Sequence, residues 1–243
     1  MAPTLILIPG LACDADVWAP QAAALSDLAT ISVADHGARD SLGAMAEAII
    51  AAAPARFAIA GHSMGGRVAL EVVRRAPERL TGVALLDTGC KPLAEGEAGR
   101  RERSEREALV ELARREGMRA LARRWLRLPM VHPERLEDCA LTERIVDMFA
   151  RKTPEVFAAQ VRALLERPDA TPLLQRISCP TLVLCGADDA WSTVAAHREM
   201  AALIPGSTLS SIARCGHMAT LERPQEVNAV LKAWLESTRT GEG

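Results

Sequence analysis

A chain of 243 residues with 49% hydrophobic content has room for one well-buried domain, with or without an insertion. Its formal charge of −2 argues against a nucleic-acid partner or an acidic membrane surface. The six cysteines make no Cys-x-x-Cys pair and no zinc-spaced Cys/His cluster, so neither a metal nor a disulfide framework is expected. Met1-Ala2-Pro3-Thr4 carries no leader pattern, and no apolar run approaches the length of a membrane span. The expectation is a reduced, cytoplasmic protein without a membrane span.

In chain order, Thr4 to Ile8 is an apolar run of strand type covered on both faces, ending at Pro9-Gly10-Leu11. Val17 to Leu28 reads as a helix, Thr30 to Ala34 as a second strand, and Ser41 to Ala53 as a helix with Ser41 at its N-cap. Phe57 to Ala60 is a short buried strand, and Val68, Ala69, Val72 and Val73 recur at helical spacing. Leu80 to Leu86 is a fourth strand, followed by Asp87-Thr88-Gly89.

Strands then stop until Pro180. The segment 91–167 is rich in Arg and Glu with apolar residues at helical spacing, and Pro129, Pro133, Pro154 and Pro168 cut it into about four helices. Between Lys91 and Lys152 it carries fifteen Lys/Arg against twelve acids, which reads as a solvated, salt-bridged outer face and not as an anion site. The strand pattern resumes at Pro180 to Cys185, followed by a helix from Thr193 to Ile204 and a strand from Ser207 to Ala213. A closing helix from Pro224 to Glu236 precedes a frayed tail, 238–243. Strands alternating with helices define an α/β class with a doubly wound, mostly parallel sheet. The expected division is a core of 1–90 and 168–243 with a helical cap, 91–167, inserted after the fourth strand.

Gly61-x-Ser63-x-Gly65 falls where a strand period changes to a helix period. Small residues two positions either side permit a sharp strand-to-helix turn that lifts the hydroxyl clear of the sheet. Ser63 is therefore the candidate nucleophile. A serine hydroxyl needs a base within hydrogen-bond reach and a carboxylate to orient that base. His217, after the last strand, is the favoured base. His36 also ends a strand, His62 should point away from Ser63, and His132 and His197 lack a strand-end position. Asp188 and Asp189 both follow the fifth strand; Asp189 is preferred, with Asp87 a possible substitute. The backbone N–H groups of Leu11 and Met64 are candidates for binding an oxyanion. For a pocket wall the core offers Cys13, Trp191 and Met218, and the inserted segment offers Met118, Trp125, Met130 and Met148.

Four stretches together resemble the α/β-hydrolase superfamily, in its compact capped carboxylesterase-like branch. They are Ile8-Pro9-Gly10-Leu11, Gly61-His62-Ser63-Met64-Gly65-Gly66, Gly186-Ala187-Asp188-Asp189, and Gly216-His217-Met218 with Leu221-Glu222-Arg223-Pro224. The resemblance selects Asp189 over Asp188 as the acid and His217 as the base. Pro9-Gly10 stands where the His-Gly of the oxyanion loop is common, and the loop after the second strand is reduced to His36-Gly37-Ala38-Arg39. A serine nucleophile argues against dehalogenase or epoxide hydrolase chemistry. The resemblance implies cofactor-free hydrolysis of a small carboxylic ester through an acyl-enzyme. The same machinery serves methyl-ester hydrolysis on an acyl chain bound to an acyl carrier protein, C–C bond cleavage or enol-lactone opening. A receptor that uses the pocket without turnover is the non-enzymatic alternative. A monomer or homodimer is expected.

Overall fold

The computed structural model describes residues 3–240; the expected leaderless start at Met1-Ala2 and the tail at 241–243 lie outside them. Six strands form one sheet: β1 (Thr4–Ile8), β2 (Thr30–Val33), β3 (Phe57–His62), β4 (Leu80–Leu86), β5 (Thr181–Gly186) and β6 (Thr208–Ile212). The order is β2-β1-β3-β4-β5-β6, and every neighbouring pair is parallel. The order reverses direction at β1, so the crevice between the carboxyl ends of β1 and β3 is a topological switch point. Register sets Ile8 beside Gly61, which brings the loops after these two strands together.

The pleat explains the two cores. Leu5, Leu7, Ala84 and Leu86 point to one face, and Ile6, Ile8, Val83 and Leu85 to the other. Both sets are covered by helices, so β1, β3, β4 and β5 read as unbroken apolar runs. The edges β2 and β6 keep exposed positions. Fully burying a leucine such as Leu7 contributes about 1.5–3 kcal/mol.

The helices follow in order. A 3-10 turn at Ala15–Trp18 leads into α1 (Ala19–Leu25), which is shorter than expected: it starts later, with Pro20 in its first turn, and stops at Leu25. Next come α2 (Leu42–Ala52) and α3 (Met64–Arg75); the Ser41 hydroxyl accepts from the Ala44 N–H and caps α2 as expected. Between β4 and β5 lie α4 (Gly96–Glu116), α5 (Met118–Leu126), α6 (Pro133–Leu136), α7 (Cys139–Ala150), α8 (Pro154–Leu165) and the single turn α9 (Thr171–Leu174). The first break in this run falls at Gly117, at φ +86, and not at a proline. Pro133 and Pro154 start helices, since a missing N–H is harmless in a first turn. After β5 come α10 (Val194–Leu203), α11 (Ala219–Glu222) and α12 (Pro224–Thr240). Where fraying was expected from Thr238, α12 continues, with Thr238 buried and its hydroxyl on the Leu235 carbonyl. None of the described helices is long and apolar enough to cross a membrane.

Candidate active site

Ser63 sits between β3 and α3 with φ +55 and ψ −118, a left-handed conformation costly for a residue with a Cβ. Close packing holds it there. A Cβ at Gly61 would run into the Gly65 carbonyl, and one at Gly65 into the Ile8 carbonyl. The turn is further pinned by the Thr88 hydroxyl, which donates to the Ser63 carbonyl at 2.7 Å, and by the Ser63 N–H on the Leu86 carbonyl at 2.9 Å.

The loops after β5 and β6 converge on the same hydroxyl. Ser63 Oγ lies 2.8 Å from His217 Nε2, and His217 Nδ1 lies 2.7 Å from Asp189 Oδ2. The other Asp189 oxygen accepts from the N–H groups of Trp191 and Ser192 at 2.8 and 2.9 Å. Burial alone would raise the Asp189 carboxyl. The imidazole of His217, its hydrogen bond and the two N–H donors outweigh burial and hold the group below the ordinary aspartate value. Met64 heads α3 and Leu11 follows β1, and both border the cavity in front of Ser63. First-turn N–H groups such as that of Met64 have no partner within their own helix.

The remaining histidines and Asp87 have other surroundings. His62 does point away from Ser63: its Nε2 donates to the His217 carbonyl at 2.8 Å. Burial, then the neighbouring His217, push it down to about 4, so it is neutral at pH 7. His36 contacts the Pro9 carbonyl at 3.1 Å, and His197 Nε2 accepts from the Thr88 N–H at 3.1 Å. His132 lies in the loop before α6, 3.7 Å from Asp188. Asp87 accepts from the N–H groups of Gly186 and Ala219. Burial, with Asp189 nearby, keeps it well above the ordinary carboxylate range. Asp189, not Asp87 or Asp188, reaches His217.

The cavity over Ser63 has a volume of about 580 Å³. Cys13, Trp125, Met130, Trp191 and Met218 border it. Met118 and Met148, expected on the wall, are instead buried in the apolar core on the α5 and α7 faces. Helical spacing alone cannot separate a core methionine from a lining one. A second correction concerns charge. Many side chains of 91–167 do form surface ion pairs, as in Arg123–Glu143 and Arg114–Glu111. Glu102 and Arg106, however, turn inward and border the cavity with Arg67 and Arg167.

Two further residues position the loops of the site, and the first was hidden for a different reason. Gln160 on α8 accepts from the Ala12 N–H at 2.9 Å and donates to the Gly37 carbonyl at 3.1 Å. Its partners lie 148 and 123 positions away, beyond any local pattern. Glu222 accepts from three backbone N–H groups, of Gly216 at 2.9 Å, His132 at 2.9 Å and Met218 at 3.0 Å. It thereby grips both ends of the His217 step. Truncation leaves three buried donors unsatisfied, so Glu222→Ala is expected to lower stability by about 3 kcal/mol or more, read from urea unfolding midpoints.

Among the described residues, no group of three or more His, Cys, Asp or Glu is arranged to hold a metal ion. The described cysteines are all unpaired thiols.

A parallel sheet with the Ser63 turn at its switch point defines a class, and the chain belongs to the alpha/beta hydrolase family, which it matches over residues 5–230. It is a hydrolase of that family. It is 32% identical to 3-oxoadipate enol-lactonase 2 of Acinetobacter baylyi over 178 residues, which are 71% of this chain and 61% of that protein. It is 27% identical to the pimeloyl-acyl-carrier-protein methyl ester esterase of Nitrosomonas europaea, covering 92% of each. Its fold superposes on a thermophilic esterase from Thermogutta terrifontis, solved with malate bound, with a TM-score of 0.86 and 28% identity, covering 98% of this chain and 91% of that one.

Proposed function

We propose that this chain hydrolyses a small carboxylic ester through an acyl-enzyme. The observation that carries the reading is the unbroken hydrogen-bonded line from Ser63 Oγ through His217 to Asp189 at the floor of a cavity of about 580 Å³. His217 Nε2 takes the hydroxyl proton as Ser63 Oγ attacks the ester carbonyl. The N–H groups of Leu11 and Met64 bind the oxygen as it gains charge. The proton passes to the leaving alcohol as its C–O bond breaks, and water then cleaves the acyl-enzyme with the same base. Asp189 holds the imidazole in the tautomer with Nδ1–H and stabilises the imidazolium. The helices of 91–167 act as the cap that excludes water from this chemistry.

Relatives named as an enol-lactonase, a methyl ester esterase and an esterase support an ester-type C–O bond as the target. Opening an enol-lactone, or releasing methanol from a carrier-bound chain, changes the acyl donor and leaves the machinery as described. The test is a panel of p-nitrophenyl esters of increasing chain length, run beside active-site labelling with a fluorophosphonate. The expected result is ester turnover with a single label on Ser63. Labelling of another residue, or no turnover on any ester, overturns the reading.

A further inference from the structure

One wall of the cavity carries more positive charge than the fold neutralises. Glu102 on α4 is gripped by Arg167, whose Nη1 and Nη2 each lie 2.8 Å from one carboxylate oxygen, and by Arg106 Nε at 2.9 Å. These arginines are largely buried, with side-chain exposures of 14% for Arg106 and 7% for Arg167. The third guanidinium, Arg67, has the Lys91 carbonyl at 2.8 Å as its hydrogen-bond partner. Among the described residues, no carboxylate lies within 4 Å of it. Arg67, Arg106 and Arg167 against Glu102 leave two formal positive charges in this cluster, and Arg124 borders the cavity as well.

The other acids on the wall do not cancel them. Glu105 is exposed and pairs with Arg101 across the surface of α4. Asp87 is held above the ordinary carboxylate range. Burial, then the nearby Arg167, pushes Arg67 down to about 10, which still leaves it protonated at neutral pH. A half-buried guanidinium bordering the cavity without an anion partner is costly, and a planar carboxylate matches its fork of donors.

The position matters as much as the charge. Arg67 stands four residues after Ser63, near the start of α3, and both border the cavity. Arg106 stacks over Trp191 at 5.7 Å, and Trp191 lies 6.1 Å from the His217 ring. The charged wall therefore stands a few carbon atoms from the scissile bond. We propose that Arg67, with Arg106 beside it, forms a carboxylate subsite, so that the preferred substrates are esters carrying a free carboxylate, such as half-esters of short dicarboxylic acids. This rests on the ester-hydrolase reading for its chemistry but not for its binding.

The test compares mono-p-nitrophenyl glutarate with p-nitrophenyl valerate, which differ in the terminal carboxylate. The wild-type chain is expected to favour the glutarate ester by about tenfold or more in kcat/KM. Arg67→Gln should lower that ratio by about tenfold, and Arg106→Gln should lower it in the same direction. The wild-type ratio needs no variant to fold. A wild-type ratio near one, with both esters hydrolysed, overturns the subsite and leaves the ester reading standing. If neither ester is hydrolysed the ester reading fails, and a tryptophan-fluorescence titration of the same protein decides the subsite. A saturable response to glutarate that is missing with glutaramide and weakened in Arg67→Gln upholds it; no response to glutarate overturns it.

Discussion

Ser63→Ala is expected to lower kcat on p-nitrophenyl esters by about 10⁶-fold, with His217→Ala costing a similar factor. The double variant should be little worse than either alone, because nucleophile and base act as one unit across their 2.8 Å contact. A residue of catalysis, about 10³–10⁴-fold over water, should survive from binding and the oxyanion donors. Stability should hold or rise slightly in Ser63→Gly, since glycine occupies φ +55 without penalty. Wild-type turnover in Ser63→Ala would end the acyl-enzyme proposal.

The second large effect concerns Asp189→Asn, expected to cost about 10⁴-fold in kcat. The reason is tautomeric. An asparagine can keep one oxygen on the Trp191 and Ser192 N–H groups only by presenting its NH₂ to His217 Nδ1. The imidazole must then carry its proton on Nε2, where it cannot accept one from Ser63. Steady-state kinetics on Asp189→Asn and Asp87→Asn side by side settle which acid orients the base. If Asp87→Asn produced the large loss and Asp189→Asn did not, the assignment would be reversed.

Much of the core was legible because parallel strands buried on both faces write themselves as uninterrupted apolar runs. Thr4–Ile8 and Leu80–Leu86 lie where the sequence places strands. The convergence of Ser63, Asp189 and His217 was legible for a related reason. Each follows a strand, and a parallel sheet delivers all carboxyl ends to one edge. What stayed hidden lies in α4 to α8. Along the 21 residues of α4, arginine and glutamate occupy nearly every face, so periodicity alone cannot say that Glu102 and Arg106 pair against the cavity while Arg101 and Glu105 pair across the surface. The inward pair is chosen by Arg67, which precedes the insertion, and by Arg167, which ends it. Met118 and Met148 failed as wall residues because apolar spacing marks a buried face without naming what buries it.

The Gln160 bridge joins two parts with different duties. Its amide oxygen holds the Ala12 N–H next to Leu11, while its backbone belongs to α8. Arg144 and Arg151 on the same insertion reach Asp16 and Asp14 on the same loop. A displacement of α8 would therefore tug on the loop after β1 as well. On the proposed mechanism, the placing of α8 and the set of the loop that would bind the oxyanion are thus geared together.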